Sequence, residues 1–244
     1  MQRYVLRFGQ GALHELFQNA LSAQKESNIP PLVSGLVKHL QPGLHVTLLW
    51  QPHLERALAA EHPTRTIYAI QPPLLEMRDS RVYVLCRPAG ETDWREEALP
   101  TPSNIEQDFI ILRVYGGNTA EPNPAFTTPI LTDDDHIQGL LGSQGLEPPA
   151  WMEELLGRPR IQPGLFSGLS SLDWRHRMLL RFLYDNRPAP SGSVALVLTS
   201  AEKAEMDIWE RGAGLPGRSR ISAIQEMPDD LAAALVKLAG ERAS

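Results

Sequence analysis

LFSGLSSLDWRHRMLLRFL, residues 165–183, has the pattern of a strand, a turn and a helix. A short apolar run leads into Gly168, and a longer segment rich in leucine follows Asp173. Strands that alternate with helices are typical of α/β proteins, in which helices cover a mainly parallel sheet. This stretch therefore predicts an α/β fold, and the remainder of the chain can be compared with that expectation.

Other segments repeat the alternation of strands and helices. Short apolar runs predict strands at 44–50, 65–70, 81–87, 108–116, 193–199 and 220–225. Apolar residues at helical spacing, together with helix-start signals, predict helices at 12–21, 32–40, 52–61, 132–142 and 228–241. The order predicts a doubly wound, mainly parallel, Rossmann-like sheet flanked by helices. Within it, the run at 44–50 is expected to be buried on both faces.

Composition limits the classes of function. The formal net charge is −6 without any basic cluster, which argues against direct nucleic-acid binding because phosphate contacts need grouped Lys and Arg. No apolar run approaches the roughly 18 residues of a membrane span, and residues 1–10 lack the pattern of a signal peptide. We therefore expect a cytoplasmic protein. Cys86, the single cysteine, excludes an internal disulfide and is expected to be a buried core thiol.

A glycine turn near the N-terminus raises the question of a nucleotide. Gly9, Gln10 and Gly11 follow a short apolar run and precede the helix predicted at 12–21. A G-x-G turn between a strand and a helix lets backbone N–H groups approach a phosphate. The same spacing suits a turn that needs glycine only for its backbone conformation. The motif alone does not decide between these interpretations.

Several motifs in order resemble one family. ILTDDDHIQGLL (130–141) resembles "vlTeeDYerfL", and residues 165–183 resemble "lFlGySlsDwdlR.LLr.l". Residues 48–59 resemble "TTNYDdlLErAl", residues 5–13 resemble "lvlGAGlS", and residues 207–238 resemble the closing motif. These are the motifs of bacterial sirtuin-like domains, which occur in NAD-consuming defence proteins. The resemblance implies a single sirtuin-like domain over 1–244, with a helical insertion at about 22–42 and a surface loop at 88–107.

The resemblance also implies that the chemical positions have been lost. The family's Asn and Asp, which hold the ribose and nicotinamide region, fall on Leu49 and Gln51. Its His, in "LHG", falls on Tyr115, which is a poor base at neutral pH. No catalytic residue is therefore expected. His45 and His53 flank the altered stretch and are expected to lie at the surface.

The positions that would hold phosphate are better preserved. Gly9, Gly11, Gly168 and Ser170 match the family's two phosphate turns, whereas Gln10 replaces a small residue and Leu13 replaces a serine. The cofactor prediction is accordingly none, with residual NAD or ADP-ribose binding through Gly9, Gln10, Gly11, Gly168 and Ser170 left open. Asp173 also matches the family but can simply serve the first turn of its helix.

A metal site is not expected. Thr132 is predicted to be an N-cap, and the acidic residues after it belong in a first helical turn, where the helix dipole favours them.

The sequence thus predicts a catalytically inactive sirtuin-like subunit that binds other proteins in a larger bacterial assembly, in a homo- or hetero-oligomer. Anti-phage defence and a contractile phage-tail-like particle are both open as settings. Loops 88–107 and 117–129 are the expected partner contacts. Two alternatives stay open: a sensor of NAD or ADP-ribose, and an NAD-hydrolysing enzyme whose site is rebuilt from residues such as Asn118 or His136.

Overall fold

A computed structural model provides the fold. The residues that it describes are 10–23, 28–71, 82–98, 100, 106–116, 132, 135, 150–157, 161–170, 173–184, 187–197, 199–211, 221–226, 230, 231 and 233. The chain divides into two compact units, Met1–Glu147 and Pro148–Ser244. Each unit is described by itself below, and the single domain over 1–244 stays a prediction.

The first unit contains a sheet of five described strands. They are β1 (Gly43–Thr47), β2 (Ile67–Gln71), β3 (Tyr83–Arg87), β4 (Arg95–Glu96) and β5 (Phe109–Arg113), in the order β1-β5-β2-β3-β4. β5 pairs in parallel with β1 and β2, whereas the β2–β3 and β3–β4 pairs are antiparallel. The sheet is therefore mixed rather than parallel throughout. Residues 72–82 connect β2 to β3. A connection of this length suffices for antiparallel neighbours, whereas parallel neighbours need a longer crossover.

Burial follows position in the sheet. All five residues of β2 and of β5 are buried, as expected for inner strands covered on both faces. β1 lies at one end of the order of the described strands, and only Thr47 at its end is fully buried. The prediction that this strand is buried on both faces was wrong, since the residues before Thr47 in β1 are only partly buried.

Three described helices belong to this unit: α1 (Gln10–Ala23), α2 (Pro31–Val37) and α3 (His53–Glu61). Pro31 begins α2, where its fixed φ suits a helix start. Pro52 lies at the N-cap of α3, one position before the first turn in which it was expected. Helices α2 and α3 pack together over one face of the sheet. Their shared core consists of Val37, Ala57, Leu58, Ile67, Phe109 and Ile111.

A buried arginine anchors the connection between α3 and β2. The guanidinium of Arg87 donates to the carbonyl oxygens of His62, Pro63, Arg65 and Glu91, at 2.8–3.3 Å. Three of these carbonyls follow the C-terminus of α3, where a cation is favoured by the helix dipole. The arginine therefore joins the end of α3 to the segment that follows β3.

The predicted surface loop at 88–107 carries a short strand, β4. Trp94 immediately precedes it and packs against the core beneath α2 and α3. Both residues of β4 are exposed. Residues 99 and 101–105 lie outside the described part of this loop, as do all of 117–129.

The second unit has a parallel sheet and three described helices. The strands β6 (Leu165–Ser167), β7 (Val194–Val197) and β8 (Ser222–Gln225) lie in sequence order. Helix α4 (Ala150–Gly157) precedes them, α5 (Trp174–Tyr184) connects β6 to β7, and α6 (Ser200–Arg211) connects β7 to β8. From β6 onward this is a β-α-β-α-β arrangement, the form that mononucleotide-binding halves of Rossmann folds use.

The second unit confirms some sequence predictions and adds elements that were missed. The strand–turn–helix prediction at 165–183 is confirmed, and strands were found at two further predicted positions. β7 is buried at alternate residues rather than throughout. Helices α4 and α6 were not predicted. Of the helix predicted at 228–241, the described residues are 230, 231 and 233, which are helical.

Candidate functional site

The N-terminal turn is the first place where a nucleotide was considered. Helix α1 begins at Gln10, so Gln10 and Gly11 form its first turn rather than the connection before it. Gly9 and the strand predicted before it lie outside the described residues. Leu13, which stands where the family has a serine, is buried. Its side chain therefore belongs to the core rather than to an open phosphate site.

The loop after β1 holds the positions where the resemblance places ribose contacts. The side chain of Leu49 is 43% exposed and carries no hydrogen-bonding group. Its backbone N–H donates to the Thr47 hydroxyl at 3.1 Å, which fixes the start of the loop. Gln51 accepts a hydrogen bond through Oε1 from His53 Nε2 at 2.6 Å. The amide at the family's Asp position is thus engaged with a neighbouring histidine.

The flanking histidines are not surface residues. His53 is only 5% exposed, and burial together with the nearby Arg56 lowers the pKa of its imidazole. His45 is partly buried, and Nε2 donates to the Gln41 carbonyl at 3.0 Å. Burial also lowers the pKa of His45. The expectation of a surface position was wrong for His53, which is buried, whereas His45 is partly buried and bonds to the exposed Gln41.

An ion pair joins the end of β5 to the first turn of α3. Arg113, the last residue of β5, pairs through its guanidinium with the carboxylate of Glu55 in the first turn of α3. Arg113 Nη2 also donates to the carbonyls of Trp50 and Gly116, at 3.2 and 3.1 Å. One side chain therefore connects the β1–α3 loop, helix α3 and the chain after β5. The sequence reasoning missed this group.

Charge and burial explain how the pair is tolerated. A buried charge is costly unless another charge and further hydrogen bonds compensate it. The Arg113 guanidinium donates hydrogen bonds to one carboxylate and two carbonyls. Glu55 lies in the first turn of α3, where the helix dipole favours an anion. One feature of the sequence could have indicated this ion pair. Arg113 ends the apolar run FIILR, and an arginine that is buried needs a partner of opposite charge.

Helix α1 contacts the same loop. The rings of Phe17 and Trp50 meet edge to face, with centroids 4.8 Å apart. Such contacts contribute about 0.5–1.5 kcal/mol beyond burial. Leu16 and Leu49, the sequence neighbours of these two rings, are both exposed. The place expected to bind ribose therefore carries exposed apolar side chains beside a closed ion pair.

Three buried polar atoms near the Arg113–Glu55 pair remain without a hydrogen bond among the described residues. Glu55 Oε2, Gln71 Oε1 and His53 Nδ1 are buried, and none of the three has a hydrogen-bond partner among the described residues. Gln71 ends β2, so these acceptors belong to the carboxyl end of the sheet. Ligands of open α/β sheets bind at that end.

The second unit places Gly168 and Ser170 in the turn between β6 and α5. Gly168 has a φ of +74°, a conformation that L side chains rarely adopt. The Ser170 N–H donates to Nδ1 of His176 at 3.0 Å, so the turn is attached to the first turn of α5. The two residues predicted from the resemblance therefore lie in the same turn. The sequence reasoning did not predict the hydrogen bond between Ser170 and His176.

Asp173 serves the first turn of α5. Its Oδ1 accepts from the Arg175 N–H at 2.9 Å, and its carboxylate pairs with the Arg175 guanidinium at 2.5 Å. These contacts with Arg175 lower the pKa of Asp173 to about 2. This agrees with the interpretation of Asp173 as a helix-start residue.

Polar residues also lie shortly after the end of β7 and at the end of β8. Thr199 and Glu202 form a reciprocal capping box at the start of α6, with N–H···O distances of 3.0 and 3.1 Å. The Ser200 hydroxyl donates to Oε1 of Gln225, the last residue of β8, at 3.0 Å. The carboxyl end of this sheet is therefore polar at all three strands.

Four further expectations can be compared with the described residues. Cys86 is buried in β3, as predicted. Thr132 and Asp135 form a reciprocal capping box, at 2.8 and 3.1 Å, which confirms Thr132 as an N-cap. In the part of the chain that the structure describes, no three His, Cys, Asp or Glu side chains are grouped so that they could hold a metal ion. Over the same residues, no helix has the length and apolar character needed to cross a membrane.

Fold and site together define a mixed α/β protein whose strand ends carry polar side chains in both units. Comparison with known proteins adds no family to this description, since no family model, curated protein or solved structure matches the chain.

Proposed function

We propose that this chain is a catalytically inactive sirtuin-like subunit that acts as a structural or regulatory protein-binding component of a larger bacterial assembly. The observation that carries the proposal is the loop after β1. Leu49 is exposed and apolar where the resemblance calls for an amide, and a buried ion pair joins Arg113 at the end of β5 to Glu55 in the first turn of α3. Cleavage of a nicotinamide–ribose bond requires polar groups that orient the sugar, and the loop after β1 presents the apolar side chain of Leu49 at the first of these positions.

The α/β fold is compatible with this proposal because packing and catalysis make different demands. The α/β arrangement needs apolar cores and helix caps, which this chain keeps in Phe109, Leu58 and the Thr132–Asp135 box. A site can be lost while its fold persists. The exposed Leu16 and Leu49 are the residues that we assign to contact with another protein, and an anti-phage defence complex is the setting that the resemblance suggests.

Incubation of the full chain with NAD tests the proposal. Chromatography should recover NAD intact after hours at micromolar protein, with no nicotinamide or ADP-ribose above a protein-free control. An active NAD hydrolase in parallel verifies detection. Product release that scales with protein concentration, and that is lost in Tyr115→Phe, would overturn the proposal in favour of a rebuilt enzymatic site. Asn118 and His136, the residues considered for such a site, lie outside the described part of the chain.

A second candidate function is a sensor that binds NAD or ADP-ribose without turnover. It is favoured by the β-α-β-α-β unit with Gly168 at positive φ after its first strand. A ligand specific for the native state at 100 times its Kd adds about 2.7 kcal/mol to the free energy of unfolding. Millimolar NAD or ADP-ribose should then raise Tm. The absence of any shift and of any calorimetric heat would reject the sensor.

A further inference from the structure

The hydrogen bond between Ser170 and His176 joins two parts of the second unit. Ser170 lies in the turn that leaves β6, and His176 lies in the first turn of α5. The backbone N–H of Ser170 donates to the ring atom Nδ1 at 3.0 Å, and both residues are partly buried. The imidazole thus accepts a hydrogen bond from a backbone donor in the turn that follows β6.

This contact exists in only one charge state of the imidazole. A neutral ring that accepts at Nδ1 carries its proton on Nε2, and an imidazolium carries protons on both nitrogens. Protonation therefore replaces the acceptor with an N–H that points toward the Ser170 N–H. The attractive contact becomes a repulsive one, and the turn loses its attachment to α5.

The charged side chains closest to His176 along the chain are those of Asp173, Arg175 and Arg177. The Asp173 carboxylate interacts electrostatically with His176 and is paired with Arg175. Arg177, the next residue on α5, is exposed. The strands β6 and β7, which lie on either side of α5 in the chain, contain no ionisable side chain over Leu165–Ser167 and Val194–Val197. Asp173 is thus the counter-charge that an imidazolium at 176 would meet.

We propose that His176 is a pH-sensitive latch on the Gly168–Ser170 turn: the neutral ring holds the Ser170 N–H, and protonation releases it. The functional consequence rests on the second candidate function, nucleotide sensing. The released N–H and the new positive charge are both suited to a pyrophosphate group. Acid therefore opens the turn to ADP-ribose, and neutral pH closes it.

The latch can be tested directly by amide hydrogen exchange of Ser170, measured by NMR on the full chain between pH 5 and 8. Protection relative to the intrinsic exchange rate should fall by about tenfold per pH unit once the ring titrates, since each unit reduces the neutral fraction tenfold. In His176→Gln the amide oxygen still accepts but does not titrate, so protection should not depend on pH. His39→Gln, in the first unit, should keep the wild-type profile. Equal Ser170 protection at pH 5 and pH 8 in the wild type would overturn the latch.

ADP-ribose titration at pH 5.5 and pH 8 tests the consequence. Affinity in the wild type should be about tenfold higher at the lower pH, and His176→Ala should bind at both. If neither protein binds millimolar ADP-ribose at either pH, the link between the latch and a nucleotide is wrong, although the inactive-subunit proposal stands. Release of nicotinamide from NAD would instead overturn that proposal and leave the exchange result unaffected.

Discussion

Arg113 and Glu55 form an ion pair in which the arginine side chain is 0% exposed and the glutamate side chain 1% exposed. The two residues are 58 positions apart in sequence, and the pair connects the end of β5 to the first turn of α3. Because the guanidinium also holds the Trp50 and Gly116 carbonyls, it fixes the loop that replaces the expected ribose contacts. Stability of the first unit should therefore depend on both partners being present.

Single substitutions in this pair should be severely destabilising. Arg113→Met leaves a buried carboxylate without its cation, and Glu55→Leu leaves a buried guanidinium without its anion. Each should lower the free energy of unfolding by about 3–5 kcal/mol, whereas the double variant should lose much less because no charge is left uncompensated. Urea denaturation followed by circular dichroism measures all three. Single variants within 0.5 kcal/mol of the wild type would show that the pair is not buried as described.

Arg87 should be a second stabilising cation, although its partners are carbonyls rather than a carboxylate. Arg87→Met removes hydrogen bonds to four backbone carbonyls around the end of α3 and should cost about 2–3 kcal/mol. Arg95→Met is the matched control, because Arg95 is exposed and its ion pairs with Glu91 and Glu97 are at 3.6 Å. That variant should change stability by less than about 1 kcal/mol. Equal losses in the two variants would contradict the role given to Arg87.

Local patterns predicted the elements of the fold better than their pairing. The run FIILR has the composition of a buried strand, and HLERALAAE has helical spacing, so β5 and α3 were found close to their true bounds. The direction of β3 was not predicted, since an apolar run carries no information on which neighbour its strand pairs with. Helix α6 was missed, although Thr199 and Glu202 have the spacing of a capping box.

The candidate site shows the same limit. Gly168 and Ser170 could be selected because residues 165–183 resemble a family motif that contains a phosphate turn. The Arg113–Glu55 pair joins distant segments, so only the fold reveals it. His53 was expected at the surface because histidine is often exposed, but Gln51 and burial define its actual environment. A site that is formed by contacts between distant segments cannot be predicted from a local motif.

Gly168 should be required for its backbone conformation. Gly168→Ala places a Cβ at φ +74°, and the strain should cost about 1–2 kcal/mol even though the space around it is open. Gly157→Ala is the matched control, because Gly157 ends α4 with open space and without a positive φ. It should be neutral or stabilising by up to about 1 kcal/mol. Thermal unfolding of both variants makes the comparison, and a neutral Gly168→Ala would show that the turn is not held in this conformation.

Cys86 should be unreactive in the folded protein and should make stability depend on alkaline pH. Burial raises the pKa of its thiol from 9.0 to about 11, so at pH 8 almost none of it is thiolate. A thiol reagent at pH 8 should modify the native chain slowly and the urea-unfolded chain rapidly. Since the folded pKa is the higher one, this contribution to stability is complete below pH 9 and is lost as pH rises toward 11. Cys86→Ala should therefore lose less stability than the wild type between those two pH values. Fast modification of the native protein, or identical alkaline profiles of the two proteins, would show that the thiol is not buried.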